Sequence, residues 1–191
     1  MDGKVRDFLV WLKIMACLIV MVWGLNNAWH FETIYLTKGF DLAIHEFGHL
    51  FFGWGGEFLQ LLGGTLMQLG VPAGICGYFF FTRQKLSGAV TLFWLGQNFI
   101  DIAIYIRDAR SQTLPLVGGG THDWHYLLGS LHLLEQDQTI AGIVWLIGVI
   151  LTIAFAILGG HFAWQERSAG QVTTAAGVES RPSGRGPSPR M

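Results

Sequence analysis

Four long apolar runs dominate the chain: FLVWLKIMACLIVMVWGL (8–25), FLQLLGGTLMQLGVPAGICGYFFF (58–81), LSGAVTLFWLGQNFIDIAIYI (86–106) and TIAGIVWLIGVILTIAFAILG (139–159). Charge interrupts them only at Lys13 and Asp101. A hydrocarbon core ~30 Å thick is spanned by ~20 helical residues at 1.5 Å each, so each run predicts a transmembrane helix. A shorter run over 40–56 predicts a fifth crossing. The pattern therefore predicts an all-α, polytopic transmembrane bundle of about five helices over residues 1–164. From 165 to 191 the sequence turns to Gly, Ser, Pro and Ala with few large apolar groups. Such a segment cannot bury a core and reads as a disordered C-terminal tail.

Composition agrees with this pattern. Of 191 residues, 51% are apolar and only 13% charged, about half the charge a soluble domain carries. The surface must therefore face the lipid bilayer over much of its area. Lys4 and Arg6 precede the first run as they do in a secretory signal, but Lys13 and the absence of a small-x-small cleavage site favour a retained helix. The expectation is a multi-pass integral membrane protein, placed in the inner (plasma) membrane of a bacterium. Lysines and arginines fall on both faces of a five-crossing arrangement, so their distribution leaves its sidedness open. A formal net charge of −1 without a basic stripe excludes nucleic acid as a partner. Cys17 and Cys76 lie in apolar runs and read as small hydrophobes.

The exception to the apolar pattern is DLAIHEFGHLFFGWGG (41–56), where His45, Glu46 and His49 form an H-E-x-x-H motif. Residues four apart stack on one helix face, so two imidazoles converge on one metal ion. The adjacent glutamate then lies where it can take a proton from a metal-bound water. Ionisable groups at membrane depth cost a few kcal/mol each unless paired, and mark function.

The HEFGH pentapeptide within an apolar helix, roughly residues 41–54, resembles the membrane-embedded zinc metallopeptidases, most closely the site-2 protease type. That resemblance implies Zn²⁺ held by His45 and His49, Glu46 as general base, and a third, acidic ligand on a later transmembrane helix. Asp101 is the leading choice. It lies on a polar stripe with Thr91, Trp94, Asn98, Tyr105 and Asp108, all within about 100° on a helical wheel. If 58–81 crosses fully, Asp101 and His49 also lie at similar depth below one membrane face. The surrounding QNFIDIAIY departs from the family, whose aspartate is usually followed by glycine.

Asp108 is one rival, a member of the same stripe with an ion pair to Arg107 or Arg110 as its alternative role. The loop LPLVGGGTHDWHY (114–126) supplies His122 and Asp123 as further rivals, and His125 as a residue that can hold substrate or support a ligand. Asp41, one turn before His45, either orients that ring or caps the helix. Asn98 and Gln68 are further supporting residues; Gln68 either packs helices or donates to a substrate backbone.

The function these features predict is a zinc metalloprotease acting on membrane-protein or peptide substrates through a Glu46-activated water. The alternative is a non-proteolytic membrane protein, metal-binding, a transporter or an assembly factor, using the same His/Glu/Asp cluster. Haem is disfavoured, because histidines four apart approach from one side.

Overall fold

In a computed structural model the chain is described over residues 3–30, 35–116 and 120–179. It is all-α, with no strand among the described residues. The five expected long helices are α1 (Gly3–Trp29), α2 (Tyr35–Phe52), α3 (Gly56–Phe81), α4 (Lys85–Arg107) and α6 (Asp137–Glu179). A short helix not anticipated from the apolar pattern, α5 (Asp123–Ser130), lies between α4 and α6. Four segments are long and apolar enough to cross a membrane: Gly3–His30, Thr37–Phe81, Lys85–Arg107 and Leu134–Ser168. The second is bent into the α2–α3 pair by a single 3₁₀ turn at Gly53–Gly55. These lengths and compositions are those of a membrane protein.

The central element is α4, which packs chiefly on α6 and α3. Its approach to α6 is set by small residues: a Cβ on Gly148 would lie 2.7 Å from the Gly96 carbonyl oxygen. Beside that contact the buried Gln97 amide donates to Thr152 Oγ1 at 2.9 Å. Small residues and interhelical hydrogen bonds replace the hydrophobic drive that lipid cannot supply. Large apolar side chains such as Phe8, Trp11, Ile19 and Ile157 point outward, as lipid-facing positions should.

Helix α6 does not stop where the composition changes at 165. Arg167 pairs with Asp7 at 3.0 Å and Glu166 pairs with Lys13, both on α1, and Arg167 also lies over the Trp164 ring. These contacts give the polar turn after Trp164 a surface to follow. The part of the expected tail from 180 to 191 lies outside the described residues.

The α2–α3 hairpin is unusually tight. A Cβ on Gly63 would come within 2.6 Å of the Gly48 carbonyl oxygen, so the glycine inside HEFGH lets the two backbones touch. On its other side α2 is tied to α4 by Asp41. Its carboxylate accepts from Trp94 Nε1 at 2.7 Å and Asn98 Nδ2 at 3.4 Å. Neither role expected for Asp41 is observed. The helix begins six residues earlier, at Tyr35, and the carboxylate turns toward α4 rather than His45. Asn98 likewise serves the α2–α4 contact, with a second bond from Nδ2 to the Trp94 carbonyl.

Candidate metal centre

His45 and His49 lie on the face of α2 that meets α3, with ring centroids 4.7 Å apart. Their Nδ1 atoms are both committed. His45 Nδ1 donates to Gln68 Oε1 at 3.0 Å, and His49 Nδ1 donates to the Gln60 carbonyl oxygen at 2.9 Å. A ring whose Nδ1 carries the proton presents a bare lone pair at Nε2, the form in which imidazole binds metal. Both Nε2 atoms point at one carboxylate oxygen, Asp123 Oδ2, at 2.9 Å from His45 and 3.4 Å from His49. His45 is 7% exposed and Asp123 5%.

The structure therefore brings Asp123, not Asp101, to the two histidines. The depth match of Asp101 with His49 takes no account of the path of residues 114–126. The chain after α4 folds back. Asp108 organises this return, accepting from Ser111 Oγ at 2.6 Å, Thr113 N at 2.9 Å and Leu114 N at 3.0 Å. Burial alone would raise the Asp108 carboxyl, but these donors outweigh it and hold its pKa below the usual carboxylate range. Arg110 pairs instead with Asp137 at 2.8 Å and Glu135 at 2.9 Å.

His122 completes the fold-back as the N-cap of α5. Its Nδ1 accepts from His125 N at 3.2 Å, leaving the proton on Nε2, 3.4 Å from Asp108 Oδ2. That separation is loose, and His122 Nε2 makes no hydrogen bond that meets normal geometry. Burial lowers the His122 pKa, although Asp108 opposes the shift, so the ring is held neutral. It stacks on Tyr105 with centroids 4.2 Å apart, and the Tyr105 hydroxyl accepts from Asp123 N at 3.2 Å. Tyr105 and Asp108 of the α4 stripe thus position the first residue of α5. His125 faces away from the cluster, donating from Nδ1 to the Ala109 carbonyl.

Asp101 remains connected to the site through an intermediary. Gln68 accepts from His45 and donates from Nε2 to Asp101 Oδ2 at 3.0 Å, forming a His45–Gln68–Asp101 chain. Gln68 stands between the Nδ1 side of His45 and the α4 carboxylate, whereas Asp123 faces the Nε2 side. One of the two N–H donors of Gln68, the alternative donor to a substrate backbone, is thereby committed to Asp101. Gly64 leaves the room the two rings need: a Cβ there would lie 2.6 Å from His45 Nε2 and 2.7 Å from His49 Cε1.

Among the described residues, His45, His49 and Asp123 form the one group of three whose ligand atoms lie within 4.8 Å of one another. Their fit to a metal can be tested on the distances. Bonds of ~2.0 Å to a tetrahedral ion set neighbouring donor atoms about 3.3 Å apart. The 2.9 and 3.4 Å separations bracket that value. The donor set, two imidazole nitrogens and a carboxylate oxygen, suits zinc.

Glu46 is exposed to a cavity of about 370 Å³ that the three clustered residues also line, together with Lys38, Asp101 and Tyr105. The cavity gives the glutamate and a reacting group a common space. No known protein-family model, curated protein or solved structure matches the chain.

Proposed function

We propose that the protein is a membrane-embedded zinc-dependent peptidase, with His45, His49 and Asp123 as the protein ligands and Glu46 as the general base. The observation that carries this reading is the convergence of two Nδ1-tethered histidines on one buried carboxylate beside a glutamate-lined cavity. Three lone-pair donors facing one another repel unless a cation lies among them. When bound, zinc supplies Lewis acidity toward a peptide carbonyl and lowers the pKa of water.

The chain's own residues supply the rest. Gln60 and Gln68 fix the imidazole tautomers, Asp101 holds Gln68, and Tyr105 holds Asp123. Glu46, next to the first histidine, accepts the proton released as water becomes a nucleophile and passes it to the leaving amine. The α2–α3 pair and α4 wall the site off from lipid, so a substrate reaches it as an extended segment entering the cavity. Membrane-associated proteins and peptides are the substrate class that such a position serves.

The 2.9 Å His45–Asp123 contact is also the length of a hydrogen bond from an imidazolium, which favours a second reading as a metal-free proton relay in a transporter. The test is cleavage of membrane-anchored peptides by purified protein in liposomes, beside Glu46→Gln. The peptidase reading expects zinc to be retained in the variant and cleavage to fall by about 10²–10⁴. Cleavage at the wild-type rate in Glu46→Gln contradicts it.

A further inference from the structure

The two ends of the bundle differ in their basic residues. At one end Lys85 donates to Gln165 at 3.3 Å and lies over the Phe162 ring, while Arg167 pairs with Asp7. The start of α1, the α3–α4 turn and the polar part of α6 therefore share this end. It carries Lys4, Arg6, Arg83, Lys85 and Arg167. At the other end Gln138 donates to the Arg107 carbonyl at 2.9 Å, Arg110 pairs with Asp137, and Trp145 donates to the Ala28 carbonyl at 3.0 Å. Among the described residues, the basic residues next to the spans at this end are Arg107 and Arg110. Its acids are Glu57, Asp108, Asp123, Glu135 and Asp137. Lys13 lies inside α1 and pairs with Glu166, and Lys38 lines the cavity beside the cluster; counting Lys38 at this end still leaves five basic residues against three.

The clustered His45, His49 and Asp123 belong to the second end: His45 lies 6.2 Å from Tyr105, near the close of α4, and Glu57 accepts from Tyr126 of α5 at 3.0 Å. Helix α1 arrives at this end with Trp29, and α3 departs from it at Gly56. Because α1 ends and α3 begins at the same end, α2 adds no net crossing. Four crossings then replace the five expected, and the order of elements no longer alternates the basic residues between faces.

Short flanking segments rich in Lys and Arg stay in the cytoplasm. We propose that the Lys85–Arg167 end is cytoplasmic and that the site opens to the opposite, extracytoplasmic face. Resting on the peptidase reading, this assigns the substrates to a class: segments of membrane proteins, or membrane-bound peptides, presented from outside the cytoplasm.

The orientation is tested by labelling with a membrane-impermeant maleimide in right-side-out and inverted membrane vesicles. Gln84→Cys probes the α3–α4 turn and Gln136→Cys the segment before α6; both positions are exposed, whereas native Cys17 and Cys76 are buried. The Gln136→Cys protein is expected to label at least about tenfold faster in right-side-out vesicles, and the Gln84→Cys protein in inverted ones. Detergent makes both react, confirming their reactivity. The reverse pattern overturns the orientation. The same labelling in a Glu46→Gln background needs neither metal nor turnover, so its failure leaves the peptidase reading intact. A single-span reporter with its cleavable segment on either side then tests the substrate class. Cleavage of the extracytoplasmic version alone supports it, and cleavage of the cytoplasmic version alone overturns it.

Discussion

His45 and Asp123 are separated by 78 residues, yet His45 Nε2 and Asp123 Oδ2 lie 2.9 Å apart. No local pattern could enforce this meeting. It depends on Asp108 gathering the chain after α4, and on Tyr105 and His122 holding the first turn of α5 over the α2–α3 hairpin.

Removing Asp123 should therefore harm metal binding more than removing Asp101. Asp123→Ala deletes a ligand, and zinc affinity is expected to fall by more than about 100-fold. Asp101→Asn acts through Gln68, in the range of about 10–100-fold found for residues that orient a ligand. Competition with a chelator of known zinc affinity measures both. A larger loss in Asp101→Asn would assign the ligand role to the α4 carboxylate.

The contrast between these aspartates shows what the sequence made legible. HEFGH could be read directly, because helical spacing alone brings residues four apart together. The long apolar helices were equally legible from their lengths. The depth match favours Asp101 over Asp123 because it takes no account of the fold-back after α4. The signal for the correct partner was already present in THDWH, where an N-capping His122 places an acidic residue at the first position of a helix. What the sequence did not reveal was the inward path from Asp108, which arises from hydrogen bonds to Ser111, Thr113 and Leu114. Five members of the α4 stripe are shared among three tasks. Asp41 takes Trp94 and Asn98, Gln68 takes Asp101, and the fold-back takes Tyr105 and Asp108.

Gly64 should resist even a methyl group. A Cβ would press on both imidazoles, so Gly64→Ala is expected to cost about 1–3 kcal/mol and to lower zinc content. Gly74→Ala on the same helix meets nothing within 4 Å and serves as the control. Thermal unfolding in detergent, read with zinc content, separates the two variants. Equal behaviour would show that the rings do not need the space above Gly64.

Acid should loosen the fold-back through Asp108. Its pKa is lowered on folding, so the stabilisation is present above its unfolded value of about 4 and is lost as pH falls toward its lower folded value. Asp108→Asn removes that acid-dependent portion and should flatten the stability profile below about pH 4. Hydrogen exchange at the amides of Thr113 and Leu114, which donate to this carboxylate, reports the same change locally. An unchanged acid limb in Asp108→Asn would contradict this assignment.

The central claim is that two tethered histidines and Asp123 hold a metal, and the most direct test is the zinc-to-protein ratio of purified protein after equilibration with zinc. The account predicts about one zinc per chain in the wild type and in Glu46→Gln, and little in His45→Ala or His49→Ala. A folded wild type that takes up no zinc, or a ratio unchanged by removing either histidine, would contradict it.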